Sequence, residues 1–198
     1  MPPTGVSGTR RQRLFDPERC AMNAQDDPVL DAWRINNRVT TLLVEAIPPA
    51  LWGAAVPGSP RRTIRSIAAH LHNTRGLWLR SLAVGASLAI PARVDASDVT
   101  PHALAKALDG SGQQVLLMIQ AGLRNGGQFP QVPTAFIYGA MPRNVVLFVG
   151  YALSHEGHHR GQILLSARAL RQKLPPEVTA ALWQWSSRLK ETRSKSVR

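Results

Sequence analysis

Cysteine is almost missing from this chain of 198 residues: Cys20 stands alone, so no internal disulfide can form. It falls in a stretch expected to be flexible and reads as an incidental free thiol, not as a metal ligand. Long apolar runs are missing too. The strongest, Val145 to Leu153, is far shorter than a membrane span, and no apolar segment follows the arginines near the amino terminus. The expectation is a soluble, cytoplasmic protein. No internal repeat, low-complexity block or convincing strand is present, and 44% hydrophobic residues over this length suit one globular domain.

Acidic residues are scarce, 12 against 24 basic ones, which leaves a net charge of +12. Such a balance raises the question of nucleic acid. Residues 1–25 carry a net +2 and residues 188–198 a net +4, leaving +6 for the middle. Half the excess therefore belongs to two expected flexible tails, which stick nonspecifically to polyanions at low salt. The middle shows no recognition helix studded with basic and amide residues. The division expected is a basic extension over 1–25, a helical domain over 26–187 and a basic tail over 188–198. Met22, just ahead of that domain, is a candidate alternative start.

Punctuation predicts the helices. Asp27-Pro28 opens one that runs to about Ile47, where Pro48-Pro49 stops it, and Gly53 to Pro60 reads as a loop. Thr63 caps a second helix reaching Val84, and Thr100-Pro101 caps a third reaching about Leu123. Arg124 to Met141, with Gly126-Gly127, Pro130 and Pro133, is the least regular part and suits either a connector or a loop shaping access to a site. Pro142 begins a fourth helix lasting to about Leu170, and Pro175-Pro176-Glu177 begins the last.

Half of the six histidines fall in His155-Glu156-Gly157-His158-His159-Arg160-Gly161-Gln162, inside the apolar fourth helix. Phe148, Ala152, His155, His159 and Ile163 recur at the period of one buried face. Two imidazoles four residues apart thus point inward together, within reach of one ion, and burying both without a partner is costly. His158 projects about 100° from His159 and belongs to the surface or to a supporting position. The best third ligand is His70, in Ile67-Ala68-Ala69-His70-Leu71-His72-Asn73-Thr74-Arg75, where it shares a face with Ile67, Thr74 and Leu77. His72 points away and should be the more exposed of the two, or a partner at a helix interface. Three protein ligands leave a coordination position open, as at catalytic metal sites. Zinc, nickel and iron all suit such a set.

These motifs resemble the DinB-like (DinB/YfiT) family, through Ala69 to Arg75 with Trp78-Leu79 and through Ser154 to Ile163. Leu30-Asp31-Ala32-Trp33 and Leu182-Trp183-Gln184-Trp185 are similar to it as well. The resemblance implies an all-α, antiparallel four-helix bundle with an additional C-terminal helix, usually a homodimer, and a triad of His70, His155 and His159 holding a divalent ion. The family includes thiol-dependent S-transferases and isomerases using low-molecular-weight thiols, and DNA-damage-inducible members of no known activity. If thiol chemistry applies, the ion lowers the thiol pKa while a cation, Arg160 or Arg75, steadies the leaving charge. Arg160 can equally form a salt bridge or lie at a dimer surface. Glu156 and Gln162 are expected to orient imidazoles, and Glu156 and Arg160 are the catalytic candidates.

His155-Glu156-Gly157-His158-His159 also satisfies H-E-x-x-H, the zinc protease motif in which the glutamate activates water. That reading needs a downstream ligand, of which Glu177 is the main candidate, and a strand edge for substrate. Trp33, Trp78, Trp183 and Trp185 read as packing residues. Two functions of different class remain: a metal-dependent enzyme, transferase or hydrolase, on a small substrate, and a non-catalytic metal-stabilised, stress-related binding module.

Overall fold

The computed structural model describes residues 27–83, 87–130 and 141–195. The basic extension 1–25 with Cys20 and Met22, together with Pro133 in the irregular stretch, lies outside the described residues. The chain is mostly helical, with seven helices among the described residues: α1 (Pro28–Glu45), α2 (Pro49–Trp52), α3 (Ile64–Leu82), α4 (Pro101–Arg124), α5 (Val145–Ala169), α6 (Pro176–Ala181) and α7 (Trp185–Lys195). No described helix is long and apolar enough to cross a membrane.

The starts follow capping chemistry. Asp27 accepts from the Val29 amide at 2.8 Å with Pro28 in the first turn, and Thr100 accepts from Ala103 at 3.2 Å. Thr63 and Ser66 form a reciprocal capping box at 3.1 and 2.9 Å. The fourth long helix begins three residues later than Pro142 predicts. Phe129 donates to the Arg143 carbonyl and Val145 to the Gly127 carbonyl, each at 2.9 Å, so 143–144 stay extended. Asn144 then caps α5 through Val146 and Leu147.

Three other expectations need correction. The stretch from Gly53 to Pro60 contains a short antiparallel hairpin, β1 (Ala55–Val56) and β2 (Ser59–Thr63), which turns at Gly58 with φ +76°. The last helix breaks at 182–184 into α6 and α7. Residues 188–195 are not a flexible tail but the body of α7, fixed to α1 by Arg38–Glu191 and Arg193–Asp31, both 2.7 Å. These ion pairs join Leu189, which packs against the apolar core, in holding a helix whose basic composition suggested solvent.

The core falls into two apolar clusters. Val39, Leu43, Ile64, Ile67, Leu71, Leu104, Leu108 and Ile163 belong to the first, and Leu30, Trp33, Trp78, Val115, Ile119, Phe148 and Ala152 to the second. α1 and α5 contribute to the second cluster and then to the first, α3 and α4 to the first and then to the second. Where each helix changes cluster it carries a buried polar side chain: Asn36 and Thr40, Arg75, Ser111, and Glu156. Trp33 and Trp78 are packed edge to face at 6.4 Å, as expected, but Trp183 and Trp185 are exposed, at 83% and 44%. The helix break carries both of these out of the core.

Candidate metal centre

The polar layer is built around a buried ion pair. Arg75 Nε donates to Glu156 Oε1 at 2.7 Å and Arg75 Nη2 to Oε2 at 2.9 Å, with both side chains wholly buried. Asn36 Nδ2 and Thr40 Oγ1 also donate to Oε2, each at 2.8 Å. Arg75 Nη1 reaches Asn37 Oδ1 at 2.7 Å and the Leu108 carbonyl at 2.8 Å, and its guanidinium lies 5.0 Å from the Trp33 ring. Burial pushes the Glu156 pKa up, but the Arg75 charge and these hydrogen bonds outweigh it and hold the carboxyl below its ordinary value.

Beside this layer α3 and α5 bring His70, His155 and His159 together. One ring nitrogen from each lies within 4.8 Å of the others, and the ring centroids are 4.6 to 5.4 Å apart. His159 Nδ1 meets Gln162 Oε1 at 2.8 Å, which assigns its proton to Nδ1 and leaves Nε2 as the lone-pair nitrogen. That nitrogen lies 3.2 Å from His155 Nε2. Two nitrogens at about 2.0–2.1 Å from one tetrahedral zinc would be roughly 3.4 Å apart. Thr74 Oγ1 is 3.3 Å from His70 Nε2. Trp78 meets His155 edge-on at 5.5 Å and Tyr151 stacks on it at 6.2 Å; His155 Nδ1 is buried without a hydrogen-bond partner among the described residues.

Burial lowers all three histidine pKa values, and for His155 the nearby His159 and His70 add to it, bringing it to about 4. At neutral pH the imidazoles are unprotonated, the state a cation requires. The donor set therefore fits a divalent ion: three neutral nitrogens, one braced by Gln162, with His70 and His155 only partly buried.

The other candidates are placed differently. Glu156, one residue from His155, projects about 100° further round the helix, and its oxygens are engaged in the ion pair. No hydrogen bond joins Glu156, Arg160 or Arg75 to the three histidines among the described residues. Arg160 Nη1 donates to Asn36 Oδ1 and Thr40 Oγ1, at 2.8 and 2.7 Å, and burial lowers its pKa. Of the expected imidazole braces, Gln162 is in contact and Glu156 is not. His158 is exposed, with Nε2 at 3.0 Å from Gln162 Nε2. His72 is 2% exposed, more buried than His70, which corrects the expectation that it be the more exposed. It takes the helix-interface role, with Nε2 at 2.8 Å from the Ala92 carbonyl and Nδ1 at 3.1 Å from that of Ala107. Glu177 is exposed at the start of α6 and is not part of the histidine cluster. Thr74, placed on the His70 face by its i, i+4 spacing, does neighbour that ring, whereas sequence reasoning missed Tyr151 as a wall.

The DinB family model matches residues 22–193, and the chain belongs to that family. No curated protein and no solved structure matches it.

Proposed function

We propose that this DinB family protein is a metal-dependent enzyme acting on a small molecule, with His70, His155 and His159 holding one divalent ion: zinc, nickel or iron. The reaction class we favour is S-transfer or isomerisation with a low-molecular-weight thiol, ahead of hydrolysis. The convergence of three neutral imidazoles at a partly open site carries this reading. When bound, the ion supplies a Lewis acid on which a thiol is deprotonated at neutral pH. Gln162 fixes the His159 ring and its proton, and Trp78 and Tyr151 shield one side of His155 from water. We assign Glu156, Arg160 and Arg75 to positioning α5 against α1 and α3, not to contact with substrate. The occupied Glu156 carboxylate argues against the H-E-x-x-H protease, whose base must face the metal.

The four long helices we read as the DinB/YfiT bundle, α1 and α5 opposed to α3 and α4. A homodimer would cover the outer stripe of α5, where Leu147, Tyr151 and Leu165 are 64%, 36% and 66% exposed. Metal content by mass spectrometry on tag-free protein tests the central claim. About one ion per chain, lost in folded His70→Ala, His155→Ala and His159→Ala variants, is the expected result. No ion after addition of zinc, nickel and iron would overturn it and favour a metal-free helical binding module.

A further inference from the structure

A groove of about 320 Å3 runs beside the triad, between the β1–β2 hairpin and α5. Val56, Pro57, Ile67 and Leu165 give it apolar walls, and Arg62 and Gln162 are its principal polar groups. Gln162 joins the groove to the metal centre directly, since the same side chain braces His159. Arg62 is half-buried, and its guanidinium has no hydrogen-bond or ion-pair partner among the described residues. Arg34, Arg38, Arg75 and Arg160, also buried or half-buried, each lie within 4 Å of a carboxylate. An arginine whose stem is packed and whose guanidinium faces a groove without an acid beside it can receive one from outside. Its distance to the triad is short enough that its charge, after burial, helps lower the His70 and His159 pKa values.

We infer that Arg62 anchors a carboxylate of the substrate or of the thiol co-substrate, whose apolar middle lies along the groove while its reacting end meets the triad. This rests on the metal-enzyme reading only for the reacting end; the anchor itself can be examined without metal. The ligand class is thus a small carboxylic acid with a short apolar spacer before the reacting thiol or electrophile. The guanidinium fork takes the carboxylate in a charge-assisted pair, and Val56, Ile67 and Leu165 take the spacer.

Hexanoate and the neutral 1-hexanol are titrated into metal-free protein, following the Arg62 side-chain Nε–H and the Gln162 and Ser166 amides by nitrogen-15 NMR. Hexanoate should shift these signals saturably and bind on the order of tenfold more tightly than hexanol, as one charge-assisted contact provides. Arg62→Gln should remove that preference and leave hexanol unchanged. Arg61→Gln, at the exposed neighbouring position, should keep it. Equal affinity for the two probes, or a preference that survives Arg62→Gln, would overturn the proposal. The cobalt-loaded protein with 6-mercaptohexanoate then separates the two claims. A thiolate-to-cobalt band lost in His155→Ala supports both. No band, with hexanoate still held by Arg62, refutes the metal-enzyme reading and keeps the anchor.

Discussion

Replacing Glu156 by Gln preserves the shape of the side chain and deletes the charge facing Arg75, making it a sharp perturbation of the polar layer. In the native chain four donated hydrogen bonds of 2.7 to 2.9 Å converge on that carboxylate, and neither it nor Arg75 reaches solvent. The variant leaves a buried guanidinium without its counter-charge, and one glutamine donor must face the donors of Asn36, Thr40 or Arg75. Breaking one partner of such a pair costs about 3–5 kcal/mol. Against a total stability of roughly 5–15 kcal/mol for a domain, that is a large share. Urea unfolding in the presence of a chelator reads it without the metal contribution: the midpoint should fall with little change in slope. Replacing both members, Arg75→Met with Glu156→Leu, should recover part of the loss, since the uncompensated charge is gone, while Asn36, Thr40, Asn37 Oδ1 and the Leu108 carbonyl lose partners and Arg160 loses the carboxylate 3.7 Å away. A Glu156→Gln variant within about 1 kcal/mol of the parent would refute the view that this pair is desolvated and mutually dependent.

Gln162→Ala removes the acceptor of the His159 Nδ1 proton, and competition with a chelator should show metal affinity lower by about 10- to 100-fold with secondary structure intact. The His155 pKa near 4 lies below its ordinary 6.5, so the folded chain resists a proton that the unfolded chain accepts. Stability of the metal-free protein should be full above pH 6.5 and decline as pH falls towards 4. The depressed Glu156 carboxyl adds a further loss below about 4.5. Urea midpoints that stay level from pH 7 to pH 4.5 would contradict this. Gly112→Ala would drive a methyl into the Asn37 amide that also accepts from Arg75, and its carbonyl receives the Trp33 indole at 2.8 Å. Differential scanning calorimetry should show a loss of about 1–3 kcal/mol, as overpacking brings.

Helix starts were legible because capping is local: Asp27, Thr63 and Thr100 each act on amides within three residues. The histidine pair was legible for the same reason, since i, i+4 spacing fixes direction before any packing occurs. Pro142 misled because the true start depends on pairing between 127–129 and 143–145, which sequence spacing does not reveal. The fate of Glu156 was hidden likewise. Its motif placed it beside a metal, but its partners Arg75, Asn36 and Thr40 come from two other helices. Trp183 and Trp185 read as core because tryptophan usually is, and the break between α6 and α7 lies in the packing of the chain end.

α5 carries apolar side chains on two faces, with Val146, Leu147, Tyr151 and Leu165 outward and Phe148, Ala152 and Ile163 inward. Oil-like burial alone therefore says little about how far this rod is rotated on its axis. Consecutive residues decide it: Glu156 fits only opposite Arg75, and that choice swings His155 and His159 towards His70. The carboxylate acts as an index mark, so a chain with both charges replaced by apolar groups should remain folded while its α5 samples more than one azimuth. The three imidazole signals, expected to be single in the parent, should then broaden or double, and the ability to gather a ligand set would fade before the fold does.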